Sequence, residues 1–197
     1  GNADGSYQLG STLNVTNNAV TFLIQDFNGD RKGDLAVFKF GNGASDAGGV
    51  AIYKGNGDGT FAPSTTFPAG RGPEGGVVAD LNGDGKLDIA VANYFSTDIS
   101  ILLGNGDGTF KAPASYPLTA NSFAVAVGDF NGDNKPDLVA TALDNSKPVV
   151  AGSVFLLLNR GDGTFQPAKE ILSGTSPRGL ATGEQLTLPI GHRLGLG

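Results

Sequence analysis

Asp80-Leu81-Asn82-Gly83-Asp84-Gly85-Lys86-Leu87-Asp88 places side-chain oxygens at positions 1, 3, 5 and 9 of a glycine-containing turn. Nearly the same wording appears twice more, as Asp26-Phe-Asn-Gly-Asp30-Arg-Lys-Gly-Asp34 and Asp129-Phe-Asn-Gly-Asp133-Asn-Lys-Pro-Asp137. Calcium takes about six to eight hard oxygen ligands, and this pattern supplies them. Successive first aspartates are 54 and 49 residues apart. A period of that size is the mark of a solenoid or propeller rather than of a single globular core.

A second motif runs out of phase with the first: Asn56-Gly-Asp58-Gly-Thr-Phe61, Asn105-Gly-Asp107-Gly-Thr-Phe110 and Asn159-Arg-Gly-Asp162-Gly-Thr-Phe165, with Asn2-Ala-Asp4-Gly-Ser-Tyr7 opening the chain. Asp-Gly followed by a β-branched residue and an aromatic reads as a hairpin turn entering a strand, because glycine accepts the positive φ that such turns impose. Four strands fit between the signals of each repeat. They are 19–25, 35–40, 50–54 and 60–67 in the first, 76–79, 88–93, 99–103 and 109–116 in the second, and 123–128, 138–143, 154–158 and 164–171 in the third. A four-stranded antiparallel meander of this size cannot bury both faces by itself, whereas stacking such sheets around an axis can. The expected class is therefore all-β, built of β-propeller blades at about 15–68, 69–117 and 118–172. Residues 1–14 would be the outer strand of a preceding blade, and 173–183 the start of a next one.

Composition agrees and narrows the chemistry. The chain of 197 residues has 32 Gly and 10 Pro spread between short apolar runs, as expected of many tight turns. It has no Cys, and its single His, His192, falls in the atypical segment 184–197, so thiol chemistry, a Cys/His zinc site and a histidine triad are excluded as leading readings. A net charge of −6 disfavours nucleic acid and anionic membrane as partners, and no apolar run approaches the ~20 residues of a spanning helix. Nine of the 19 acidic residues sit in the three loops. Three bound Ca²⁺ would offset the net charge of −6.

The Asp-Phe-Asn-Gly-Asp loop followed by an Asp-Leu strand, alternating with Gly-Asp-Gly-Thr-Phe, resembles the FG-GAP or VCBS-type repeat of integrin-like propellers over residues 1–180. The family's Gly-Ala-Pro element is reduced to Phe61-Ala-Pro63, Phe110-Lys-Ala-Pro113 and Phe165-Gln-Pro167. The resemblance implies blades that carry calcium in the loop between their first two strands, in extracellular or cell-surface proteins. Three complete repeats are fewer than such propellers use. The chain is expected to be part of a larger propeller or to close by self-association.

The residues expected at the metal are Asp26, Asn28, Asp30, Lys32 (by its carbonyl) and Asp34 in the first loop. Asp80, Asn82, Asp84, Lys86 and Asp88 match them in the second, and Asp129, Asn131, Asp133, Lys135 and Asp137 in the third. The first nine positions copy an EF-hand loop, but the closing bidentate Glu is missing and the flanks are strands. The plainer alternative, Asp/Asn/Gly turns without metal, explains one such loop more easily than three. Arg31 stands where the other loops have Gly85 and Asn134, which take a left-handed backbone more readily, so the first loop is expected to bind most weakly. Arg160-Gly161-Asp162 spells an adhesion tripeptide, but it occupies a turn whose other copies read Asn-Gly-Asp and Asn-Ala-Asp, and it reads first as a turn.

In an up-and-down meander alternate connections emerge at opposite ends of the sheet. The acidic loops and Gly-Asp-Gly turns share one face, and the more variable connections share the other, where binding on a repeat scaffold usually resides. Arg71, Asn93, Tyr94, Phe95, Asn121, Asn145 and Arg178 are the residues there with stacking or hydrogen-bonding chemistry, blade packing being the competing role for the aromatics. The leading function is a non-enzymatic binding or adhesion module for an extracellular glycan or protein. The alternatives are an accessory propeller of a polysaccharide-degrading enzyme, or a structural spacer of a large surface protein.

Overall fold

The computed structural model describes residues 12–15, 18–42, 48–144 and 151–175. Among these, twelve strands form three four-stranded antiparallel sheets, each a simple meander, and no helix occurs. The first sheet is β1 (Ala19–Gln25), β2 (Asp34–Lys39), β3 (Gly49–Tyr53) and β4 (Thr65–Phe67). The second is β5 (Pro73–Ala79), β6 (Asp88–Asn93), β7 (Asp98–Leu102) and β8 (Ala114–Pro117). The third is β9 (Asn121–Gly128), β10 (Asp137–Asp144), β11 (Ala151–Leu157) and β12 (Lys169–Thr175). The all-β, blade-like reading is borne out, and no sheet closes on itself.

The fourth strands begin later than their turn signals indicate. Ala62 N–H donates to the Lys54 carbonyl at 2.8 Å, Lys111 N–H to Leu103 at 2.8 Å and Gln166 N–H to Leu158 at 2.8 Å. Pro63, Pro113 and Pro167 then follow without an N–H to continue the ladder, so pairing resumes only beyond them. At the other end β12 reaches Thr175, which places 173–175 in the third sheet rather than in a further blade.

The second strands β2, β6 and β10 and the third strands β3 and β7 are buried almost throughout because both of their faces are covered, and they read as continuous runs such as Asp-Ile-Ala-Val-Ala-Asn. Two cores lie between the sheets. Phe38, Ile52, Ile89, Leu102 and Phe110 fill the first junction, and Leu81, Ile99, Ile101, Leu138, Phe155 and Phe165 belong to the second. Burying side chains of this kind contributes about 1.5–3 kcal/mol each. Gly76 on β5 makes the first junction close, since a Cβ there would stand 2.4 Å from the Phe38 ring and 2.6 Å from the Ala90 carbonyl oxygen. On the outer side of the first sheet, Leu13 and Val15 pack against Val37, Ala51 and Tyr53. They cover part of that face without strand geometry, where an outer strand was expected.

Candidate functional site

Each acidic loop joins the first two strands of its sheet, and its shape is set by carboxylates that gather backbone N–H groups. In the second loop Asp80 Oδ1 accepts from Gly83 at 2.8 Å and Asp84 at 3.1 Å, and Oδ2 accepts from Gly85 at 2.8 Å. Asn82 Oδ1 takes the Asp84 N–H at 2.9 Å, and Asp84 Oδ1 takes that of Lys86 at 3.0 Å. The first loop repeats the set through Asp26, Asn28 and Asp30, and the third through Asp129, Asn131 and Asp133. Position 6 is left-handed in all three, with φ of 66° at Arg31, 79° at Gly85 and 62° at Asn134. Arg31 bears the Cβ crowding that glycine avoids there.

The ninth residue does different work. Asp34, Asp88 and Asp137 are fully buried, and each bridges its own loop to the Gly-Asp-Gly turn of the same sheet. Asp88 Oδ2 accepts from Leu81 N–H at 2.9 Å and Oδ1 from Gly104 N–H at 2.7 Å. Asp34 joins Phe27 N–H at 3.0 Å to Gly55 N–H at 2.9 Å, and Asp137 joins Phe130 at 3.2 Å to Asn159 at 2.8 Å. The turns themselves are tied by their own aspartates. Asp58, Asp107 and Asp162 each hold the hydroxyl and N–H of the following threonine, which keeps these carboxyls below their usual range.

Electrostatics separate the loop carboxyls. The Lys86 N–H holds Asp84 low, against some desolvation, and the Asn134 N–H holds Asp129 low. Desolvation pulls Asp26 upward, but the N–H groups of Arg31, Gly29 and Asp30 together outweigh it and leave the carboxyl below its usual range. Asp88 moves the other way. Burial pushes it up, the Gly104 and Leu81 N–H groups oppose this, and the neighbouring Asp84 and Asp80 charges add to the rise. The position-7 lysines supply countercharge, with Lys86 Nζ 3.8 Å from Asp84 and Lys135 Nζ 3.5 Å from Asp133.

Among the described residues no three acidic or histidine side chains converge as a ready-made metal cluster. The carboxylates turn toward backbone N–H groups instead. In donor type the loops nevertheless fit a hard cation: they offer only oxygen, each oxygen that accepts one N–H keeps a second lone pair, and like charges crowd Asp88.

Two overlapping segments of the chain, 26–91 and 80–140, match the FG-GAP-like repeat. The chain belongs to the FG-GAP-like repeat family. The matched segments span all three acidic loops and the turns between them, so the family assignment and the blade geometry rest on the same residues. A comparison with curated proteins gave no match.

On the opposite face of this FG-GAP-like chain, five of the seven residues singled out in the sequence are described and cluster between the blades. Phe95 is exposed and Tyr94 half-buried, with ring centroids 5.1 Å apart. Tyr94 packs on Phe123 at 5.0 Å and Phe95 on Phe40 at 5.0 Å, which is an inter-blade seam. Asn121 Nδ2 donates to the Tyr94 carbonyl at 2.8 Å, and the Arg71 carbonyl accepts from Phe95 N–H at 3.0 Å. Asn93 is not on the surface. It is buried, and its Nδ2 donates to Asp98 Oδ1 at 3.0 Å and to Ser100 Oγ at 2.9 Å. Asn145 and Arg178 lie outside the described residues. The Arg160 and Asp162 side chains are engaged inside their own turn, by the Phe165 carbonyl and by Thr164.

A cleft of about 280 Å³ opens on this same face, lined by Thr119, Ala120, Asp144, Ser153, Glu170, Ser173 and Gly174. Ser153 Oγ donates to Glu170 Oε1 at 2.5 Å. Sequence reasoning passed over these residues because they belong to three separate strands and one link, with no local motif. Nothing in the described residues is a helix long and apolar enough to cross a membrane.

Proposed function

We propose that this chain is a calcium-stabilised, non-catalytic binding module of extracellular type, which recognises a glycan or protein through the face opposite its acidic loops. The observation that carries the reading is the threefold recurrence of one oxygen-only loop, fastened in each sheet by a buried aspartate to the adjoining turn. Carboxylates crowded into one short loop gain from a divalent cation, and Asp, Asn and a backbone carbonyl are the donors calcium prefers. The polar cleft on the other face is free of that task. Its hydroxyls and carboxylates suit the hydroxyl groups of a sugar or a polar peptide.

Thermal melting tests the metal. A ligand that binds only the native state at a hundred times its dissociation constant stabilises by about 2.7 kcal/mol. Melting in millimolar calcium should therefore exceed melting in excess chelator by several degrees, and equal temperatures would refute the calcium reading. Binding on the opposite face is tested with a glycan array in calcium, where Glu170→Gln and Asp144→Asn should weaken any signal. A second reading, an accessory part of a polysaccharide-degrading enzyme, is favoured only by the two carboxylates that line this cleft. Turnover of an acidic polysaccharide would establish it in place of the first.

A further inference from the structure

Near the face opposite the acidic loops, each sheet brings three equivalent positions together. Five residues after its buried aspartate, the second strand carries Lys39, Asn93 or Ala142, paired with Gly49, Asp98 and Ser153 on the third strand. Two residues farther along the third strand, Ala51, Ser100 and Phe155 pair with Thr66, Ser115 and Glu170 on the fourth. Directly paired residues, and residues two apart on a strand, share one side of a sheet, so each set of side chains can meet.

In the first two sheets a nitrogen from the second strand reaches the oxygens of its neighbours. Lys39 Nζ donates to Thr66 Oγ1 at 3.0 Å. Asn93 Nδ2 donates to Asp98 Oδ1 at 3.0 Å, and the other oxygen of Asp98 accepts from the Ser115 hydroxyl. The third sheet keeps the carboxylate–hydroxyl pair but exchanges its ends: Ser153 on the third strand donates to Glu170 on the fourth. Its second strand offers only the methyl group of Ala142. Among the described residues Glu170 accepts from Ser153 and from no nitrogen.

The link entering the sheet differs in step. Gly70 lies against the second sheet's cluster, where a Cβ would stand 2.5 Å from both Asn93 Nδ2 and Asp98 Oδ1. Thr119 holds the equivalent place before the third acidic loop, and with Ser153, Glu170 and Ser173 it lines the cleft of about 280 Å³. Asp144, two residues beyond Ala142 on the same strand, adds a second carboxylate to that lining, and no basic side chain does.

We propose that this cleft binds the ammonium group of a lysine side chain presented by a partner protein, which supplies the nitrogen that Lys39 and Asn93 supply in the other two sheets. The inference rests on the reading that the face opposite the acidic loops is the binding face. An ammonium offers three donors from one point, and a carboxylate ringed by hydroxyls accepts them. Ser153 already holds one oxygen of Glu170, which disfavours the paired contact of an arginine fork. No aromatic ring lines the cleft for a sugar to stack on, and the small residues Ala120 and Gly174 suit an unbranched methylene stem.

The test is amide NMR on the full chain at low ionic strength, titrated with the peptide acetyl-Gly-Ser-Lys-Ser-Gly-amide. The amides of Thr119, Ser153, Glu170 and Ser173 should shift saturably, and the same peptide with its lysine Nε-acetylated should leave them in place. Glu170→Gln, at an exposed position, should weaken binding about fivefold. Ser173→Lys, also exposed, places an ammonium in the cleft from within and should abolish it. Shifts that acetylation does not remove, or that Glu170→Gln leaves unchanged, overturn the proposal, as does the absence of shifts up to the solubility limit of the peptide. If a sugar from the glycan array shifts these amides and the lysine peptide does not, the lysine inference falls and the binding face stands. If neither shifts them, both fall.

Discussion

Asp88→Asn isolates what the buried ninth position contributes. The wild-type carboxylate accepts two buried N–H groups, Leu81 at 2.9 Å on one oxygen and Gly104 at 2.7 Å on the other. An asparagine of the same shape has one acceptor oxygen, so it keeps one bond and turns an amide donor against the other N–H. A buried donor left without a partner costs about 1–3 kcal/mol. Burial already raises the Asp88 carboxyl, so removal of its charge offsets part of that loss. In a domain of this size each kcal/mol lowers the melting temperature by about 2–4 °C. The assay is urea and thermal unfolding at neutral pH in excess chelator, with Asp84→Asn as the comparison. Asp84 is exposed and binds only one backbone N–H, from Lys86, so its variant should stay within about 0.5 kcal/mol of wild type. If the two variants unfold together, the buried bridge does not hold the loop to the turn and the reasoning fails.

Gly76→Ala would put a methyl group 2.4 Å from the Phe38 ring and 2.6 Å from the Ala90 carbonyl oxygen, and overpacking of this kind costs about 1–3 kcal/mol. Combining it with Phe38→Leu should recover part of that cost in a double-mutant cycle, because the ring yields and the backbone does not; additive losses would count against the close junction. On the acid side, Asp58, Asp107 and Asp162 have folded pKa values below the ordinary 3.8, chiefly through the threonine hydroxyls. Their contribution is present above that value and is lost as pH falls below it through the folded pKa. Asp88, raised by burial, has the opposite sign: its contribution is present below 3.8 and is lost as pH rises through its folded pKa. Thr60→Val, Thr109→Val and Thr164→Val together should flatten the loss of melting temperature between about pH 5 and pH 3; an unchanged slope would show that the turns do not drive it.

Much of the fold could be read locally. The second strand of each repeat starts at the acidic loop's last aspartate, and β1 and β6 fall where alternation and turn residues put them. The fourth strands were misplaced because Phe61, Phe110 and Phe165 look like strand residues but form only isolated bridges, to Gly55, Gly104 and Asn159, before proline interrupts the ladder. The loops' donors were legible as a set, since position 1, 3 and 5 chemistry is sequential. Asn93 was misjudged for a different reason. Its place at a strand end looks exposed in sequence, and only the packing of Asp98, Ser100 and Gly70 around it makes it a buried hydrogen-bonding hub.

The sequence by itself determined the repeat, the meander and the acidic loops, because turns and strand alternation depend on neighbours a few residues apart. Tertiary structure decided which aspartate serves which end. Asp26 and Asp34 are interchangeable on paper, yet one ties up the backbone of its own exposed loop while the other is buried between loop and turn. It also decided that Phe27 and Leu81 are plugs and Phe130 is not, since burial of a loop residue depends on whether a following blade stands against it, and that blade is about fifty residues away in sequence.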